Sequence, residues 1–350
     1  SEHAVLQAGQ PLPIWGESAP GEAIEVSLAG QTRHVIAGED GHWRVDFAPF
    51  EKSRQPVDLI VAGEATHVIR GVIFGDVWLA AGQSNMMTAI RRTGELAIAA
   101  RELLPADVRF FNGGRWEIVC RERLPSLPAV PWAFAREWAE TNDVAVGMIA
   151  VARGGTRIES WLPLSALQRT EAGAEFARLA RDPEVIAAAA EDAQKFKPYA
   201  QTKLSRWRMG RALPMALYDA LIHPLNEFAL SGVLWYQGEN NAQSMEEALA
   251  YREQLVHLVE SWRGQWKRPN LPFFIVGLPE YHPKEGEGSL ESWAALPASQ
   301  QEASRHLAHA FWVDAFDLGD VNDIHPKRKY ELGRRLAQHA QTVIKADERR

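Results

Sequence analysis

The sequence predicts an α/β fold in which helices cover both faces of a mainly parallel sheet, preceded by a small N-terminal all-β domain. Two patterns predict it. Short strands separated by turns fill residues 1–70, and from about Gly71 strand-sized apolar runs alternate with helical segments. The first pattern belongs to antiparallel sheets, the second to a parallel sheet sandwiched between helices. A third observation concerns function: polar clusters follow several of the later strands, where open parallel sheets bind their ligands.

Within the first domain, 1–70, the expected strands cover residues 12–16, 23–28, 32–36, 42–47, 55–62 and 66–70. Ala19-Pro20-Gly21, Ala29-Gly30 and Glu39-Asp40-Gly41 supply the turns between them. No constellation there suggests chemistry, so this domain is assigned structural or substrate-positioning work. In the second domain, 71–350, strands are expected at 76–81, 108–111, 144–151, 232–236, 273–278 and 310–314. Helical sequence lies at 88–101, 132–139, 171–195, 213–228, 245–262, 298–309 and 326–344, and residues 279–297 read as a long loop.

Composition excludes several classes. A chain of 350 residues can bury a large core, and 46% hydrophobic with 24% charged residues is ordinary for a globular protein. A net charge of −7 without a basic stripe argues against a nucleic-acid partner. The apolar runs fall well short of the ~20 residues that span a bilayer, so no membrane partner is expected. The single cysteine, Cys120, excludes an intrachain disulfide and any cysteine-built metal cage. The chain starts at Ser1, which suits a removed signal peptide and a periplasmic or secreted location as well as a trimmed start. A cytoplasmic location is the alternative.

The chemistry centres on Gly82-Gln83-Ser84-Asn85-Met86, which closes the strand at 76–81. A serine on a strand-to-helix turn projects its hydroxyl from the sheet edge, beside the unpaired N–H groups of a helix start. That setting suits a nucleophile. Met86 replaces the last glycine of a Gly-x-Ser-x-Gly elbow, and such a serine is by default a helix cap. Arg153-Gly154-Gly155-Thr156, Gln237-Gly238-Glu239-Asn240 and the stretch from Asp320 to His325 follow three further strands.

Ser84 needs a base, to be chosen among eleven histidines. His325 stands in Asp323-Ile324-His325-Pro326 with acids nearby, whereas His223 and His282 have none close in sequence. Asp323 is the expected partner of the imidazole, with Asp320 the alternative. The oxyanion is expected to meet the backbone N–H groups of Ser84 and Gly155 and the side-chain amide of Gln237. Glu239 is expected to buttress its loop. Gln83, Asn85, Arg153, Thr156 and Asn240 complete the expected lining or support.

These blocks resemble the sialate O-acetylesterase family of the SGNH hydrolases, which includes acetylesterases acting on plant polysaccharides. The resemblance is carried in order by His3-Ala4-Val5-Leu6-Gln7 with Pro13-Ile14-Trp15-Gly16, by the Ser84 block, and by Gly154-Gly155-Thr156 with Ile158-Glu159-Ser160-Trp161. It continues through Leu217-Tyr218-Asp219-Ala220-Leu221-Ile222-His223-Pro224-Leu225, where the family usually has Asn at the Asp219 position. Trp235-Tyr236-Gln237-Gly238-Glu239-Asn240-Asn241, Asp323-Ile324-His325-Pro326-Lys327 and Gly333-Arg334-Arg335-Leu336-Ala337 close it.

The resemblance implies the SGNH three-layer α/β/α sandwich, a nucleophile at Ser84, a base at His325 and oxyanion donors at Ser84, Gly155 and Gln237. It implies no metal or organic cofactor. Many SGNH enzymes place the triad Asp three residues before the His, where this chain has Asn322; Asp323, two before, fits the Asp-Ile-His-Pro form. The carboxylate therefore reaches the ring differently, or a serine–histidine dyad uses a backbone carbonyl.

The implied activity is acetate release from O-acetylated carbohydrate, in the manner of a sialate 9-O-acetylesterase. Acetylated xylan, xyloglucan or pectin are the alternative substrates, and a non-catalytic carbohydrate-binding protein is the alternative from another class. Arg153, Arg157 and Arg206 are candidates to pair with a sialate carboxylate.

Overall fold

A computed structural model describes residues 1–95, 107–169 and 215–347, together with 98, 174, 178 and 182–184. The expected helix at 171–195 and Arg206 lie for the most part outside the described residues. The N-terminal region holds only strands: β1 (Val5–Gln7), β2 (Leu12–Glu17), β3 (Ala23–Leu28), β4 (Gln31–Ile36), β5 (His42–Phe47) and β6 (Ser53–Ala62). Burial alternates along β3 and β5, with Val26, Leu28, Trp43, Val45 and Phe47 inward. This period of two is what makes them strands with one covered face. Pairing is antiparallel for β2–β5, β3–β4, β3–β6 and β6–β7, while β1 lies parallel to β7.

The 17-residue strand β7 (Thr66–Gly82) belongs to both regions. Its first half pairs with β6, and its second half sits in the middle of the larger sheet. The change of pattern near residue 71 therefore falls inside one strand. The later strands are β8 (Val108–Asn112), β9 (Arg115–Ile118), β10 (Val146–Ala152), β11 (Gly232–Tyr236), β12 (Phe273–Val276) and β13 (Ala310–Val313). Their order is β13-β12-β11-β7-β10-β8-β9, parallel throughout except for the β8–β9 hairpin. The hairpin turns at Gly113-Gly114, and β9 lay outside the strands expected from the sequence.

Three layers follow from side-chain parity. Gly232 of β11 is the register partner of Trp78 in β7, so Trp235, three residues on, points to the opposite face. Trp78 meets Phe134 and Trp138 of helix Ala129–Asn142, whereas Trp235 meets Trp262 of helix Met245–Gln265. The first of these helices packs on the C-terminal helix Lys329–Asp347, and the second on helix Leu290–His306. All four tryptophans are buried, and such rings remove about 150–250 Å² each from water. Among the described residues, no helix is long and apolar enough to cross a membrane.

Besides β1 and β9, three segments differ from the sequence expectation. The helix expected at 213–228 is reduced to the short turns Tyr218–Ile222 and His223–Leu225 among its described residues. Leu290–His306 is helical although the sequence suggested a loop to residue 297. A capping box between Ser289 and Ser292 starts the helix, and Pro297 is accommodated inside it. The stretch after Ser84 forms two short helices, Ser84–Met87 and Ile90–Thr93, rather than one long one. Ala89 between them makes a bridge to Pro128 instead.

The end of β7 is the most crowded point of the sheet. Gly82 has φ 140°, and a Cβ there would lie 2.0 Å from the carbonyl oxygen of Tyr236. Gly82→Ala is expected to destabilise the protein by about 3 kcal/mol, measured by denaturant unfolding, from overpacking and a strained φ together. Unchanged stability would show that the neighbouring strand gives way.

Candidate active site

The serine turn is pinned between two neighbouring strands. Gln83 N donates to Tyr236 O (2.9 Å) at the end of β11, and Arg153 N donates to Gly82 O (3.0 Å) from the end of β10. Ser84 is the first residue of its short helix, so its N–H is one of the donors without an intrahelical partner. The cap position belongs to Gln83, which makes no side-chain cap bond. Helix capping is thus not what the Ser84 hydroxyl does. Its Oγ lies 2.8 Å from Nε2 of His325, a residue 241 positions away.

Of the histidines weighed from the sequence, the structure brings only His325 to Ser84. His223 packs against the Tyr218 ring, and the backbone of His282 bonds Val321 O (3.1 Å). His325 itself is exposed at the mouth of the site, on the loop that leads into helix Lys329–Asp347. The expected contact between Asp323 and the imidazole is not formed. Asp323 Oδ1 accepts from the His325 backbone N–H (2.9 Å), two residues on, and the alternative, Asp320, accepts from Asn322 N (2.9 Å) in the same way. Both are Asx turns that shape the loop. Among the described residues, no carboxylate pairs with the ring.

Desolvation by the surrounding protein holds the imidazole below its usual pKa of 6.5, and the positive charges of Lys329 and Arg92 act in the same direction. Asp323 opposes them, through its field only. The ring is therefore neutral at pH 7 and able to take a proton.

The Gly154-Gly155 turn lies against Ser84: a Cβ on Gly154 would lie 3.4 Å from Ser84 Cβ, and Gly155 has φ 71°. Thr156 Oγ1 closes this turn on Arg153 O (2.9 Å) and accepts from Trp161 Nε1 (3.1 Å). Arg153 is exposed beside it. Arg157 is committed elsewhere, to Glu159 (3.2 Å) and Glu247 (2.6 Å), which removes it as a recognition residue.

Gln237 differs from its expected role. Its side chain is fully buried, and Nε2 faces three acceptors: Gln83 Oε1 (3.1 Å), Thr156 O (2.9 Å) and Asn241 Oδ1 (3.0 Å). Two amide hydrogens shared among three acceptors leave none for an oxyanion. Gln237 and Gln83 instead tie together the loops after β7, β10 and β11. Asn240 is buried, and its Nδ2 has no partner among the described residues.

Beneath the pair lies a buried polar cluster of which the sequence suggested only two members, Asn85 and Glu239. Asn85 Nδ2 donates to Glu239 Oε1 and to Ile324 O (2.9 Å), while Asn85 Oδ1 accepts from Lys329 Nζ (2.6 Å). Burial raises the Glu239 carboxyl above the usual range and pushes Lys329 down to about 7. Lys329 was missed because Lys327-Arg328-Lys329 reads as a solvated charge run.

Two outcomes follow for hydrolysis of 4-nitrophenyl acetate. The acid limb of kcat/KM falls with an apparent pKa below 6.5; a limb above 6.5 contradicts a ring whose pKa is lowered. Asp323→Asn keeps the acceptor for His325 N, so kcat drops by about tenfold, against the ~10⁴ seen when an acid bonded to the ring is lost.

Comparisons with known proteins match this architecture. Residues 197–342, which include Gln237, His325 and Lys329, fit the family model described as carbohydrate esterase, sialic acid-specific acetylesterase. The sialate O-acetylesterase of Rattus norvegicus is 27% identical over 385 residues, covering 94% of this chain and 69% of that protein. The human sialate O-acetylesterase is 25% identical over 376 residues, covering 92% and 65%. The crystal structure of a carbohydrate acetylesterase from Xanthomonas citri superposes with a TM-score of 0.80 at 31% identity, over 98% of this chain and 73% of that one. With 98% of its length superposed on that enzyme at 31% identity, the chain belongs to the carbohydrate acetylesterases, and it is a carboxylic ester hydrolase.

Proposed function

We propose that this carbohydrate O-acetylesterase works through an acyl-enzyme on Ser84, with His325 as its base. The observation that carries the reading is the 2.8 Å contact between Ser84 Oγ and His325 Nε2 at the carboxyl edge of a parallel sheet. His325 Nε2 takes the hydroxyl proton as Ser84 Oγ bonds to the acetyl carbonyl carbon. The carbonyl oxygen gains the negative charge and is held by the N–H groups of Ser84 and of Gly155. The carbon–oxygen bond to the sugar then breaks, and the sugar oxygen leaves with the proton from His325. Water attacks the acetyl-serine with His325 again as base, and acetate departs. Asp323 and Asp320 shape the His325 loop, so the pair acts as a dyad with electrostatic help from Asp323.

For the natural substrate, the named relatives from rat and human favour an O-acetylated sialic acid, with sialate 9-O-acetyl groups the first choice. Acetylated xylan, xyloglucan and pectin are the competing substrates. An extracytoplasmic location goes with any of these, because such glycans are displayed outside the cell membrane. Arg153, exposed at the rim, is the arginine available to meet a sialate carboxylate.

Acetate release measured over a panel of acetylated sialic acids and acetylated plant glycans separates the substrates. Ser84→Ala is expected to lower release on the best of them by at least ~10⁴-fold. Release at the wild-type rate from Ser84→Ala would end the proposal.

A further inference from the structure

Lys329 stands at the start of the C-terminal helix with 1% of its surface exposed, among the largest fully buried side chains of the described residues. A buried ammonium is costly, and a methionine of similar length would fill the space without that cost. Its Nζ donates to Asn85 Oδ1 and lies 5.3 Å from the centroid of the Tyr236 ring. On the other side of Asn85, Nδ2 faces Glu239 Oε1 and Ile324 O.

The arrangement fixes which way the amide points. An ammonium has donors and no acceptor, so while Lys329 is charged Asn85 presents its oxygen to it, as the 2.6 Å contact shows. The NH2 group is thereby directed at Ile324 O and at the Glu239 carboxylate. Asn85 is the neighbour of Ser84, and Ile324 is the neighbour of His325. One oriented amide thus links the backbone of the base to the turn of the serine. The Ser84–His325 contact is otherwise a single hydrogen bond between distant parts of the chain, with no acid behind the ring among the described residues.

We propose that Lys329 is a positioning residue for the reaction: by locking the orientation of the Asn85 amide, it ties the His325 loop to the Ser84 turn and sets the 2.8 Å separation between them. The inference rests on the reading of Ser84 and His325 as the reacting pair. It names a role for a residue that touches neither of them directly.

The charge of Lys329 gives the lock a signature that packing alone would not. The charged groups acting on His325 are Lys329, Asp323 and Arg92, and those acting on Lys329 are Glu239, Asp323 and Glu95. Lys329 lowers the pKa of His325. With its own pKa at about 7, Lys329 is mostly charged where a base held below 6.5 takes up its proton. Neutralising it therefore moves that limb upward.

The test compares pH profiles of 4-nitrophenyl acetate hydrolysis for the wild type, Lys329→Met and Lys329→Gln, with folding checked by circular dichroism. In Lys329→Met, kcat is expected to fall by about 10–100-fold from misplacement of the base, with KM within about threefold. The acid limb shifts to higher pH. Lys329→Gln, whose amide can still donate to Asn85 Oδ1, recovers part of kcat while its limb stays shifted. Should the methionine variant fail to fold, the glutamine variant reads the same limb. A folded variant with wild-type kcat and an unmoved limb overturns the proposal, as does a loss of kcat with the limb unmoved. Ser84→Ala, assayed in parallel, tests the underlying pair separately: activity surviving there defeats the reading of Ser84 whatever Lys329 does.

Discussion

Everything at the site depends on how little room there is at the end of β7. Gly82 sits between Tyr236 of β11 and Ala152 of β10, with Tyr236 and Arg153, just past β10, bonded to the turn it opens. A chain leaving a central strand under that constraint must bend at once, and it bends into Ser84. The hydroxyl is then carried on a residue whose neighbours are both fixed: Gln83 by Tyr236, and Asn85 by Glu239, Ile324 and Lys329. Little of the placement depends on Ser84 itself. The serine is free to react because the residues around it hold the geometry.

The histidine is held differently, by a loop rather than by a strand. Asp320 and Asp323 spend their carboxylates on backbone N–H groups, giving two successive turns that bring His325 forward. The ring then lies among more positive than negative influence, with Lys329 and Arg92 against Asp323. Together with desolvation this keeps the imidazole unprotonated at neutral pH. It also means that, among the described residues, the imidazolium of the proposed reaction would have Asp323's field alone to stabilise it. A site arranged like this trades some stabilisation of the cation for an imidazole held below its usual pKa.

Much of the fold was legible in the sequence, and for a physical reason. Strands buried on both faces show as continuous apolar runs, as in 77–81 and 273–276, and the turn residues after them mark where ligands meet a parallel sheet. Ser84, Gly155 and His325 stood out because reactive and turn-forming residue types follow buried strands. What failed was direction. An aspartate two residues before a histidine can bond the ring or the backbone, and nothing in Asp323-Ile324-His325 decides between them. Gln237 presents the same ambiguity, since an amide aimed at a substrate and one aimed at Gln83 and Thr156 have the same sequence. Lys329 was hidden by its company of Lys327 and Arg328, and only the docking of the C-terminal helix shows that one of the three is interior.

The central claim is that Ser84 is the nucleophile that His325 activates. It is tested most directly by treating the wild-type protein with a serine-directed organophosphonate and mapping the adduct by peptide mass spectrometry. The account predicts one adduct, on Ser84, formed in step with loss of esterase activity and lost when His325 is replaced by alanine. Complete inactivation with the adduct on another residue, or full activity with Ser84 modified, would contradict it.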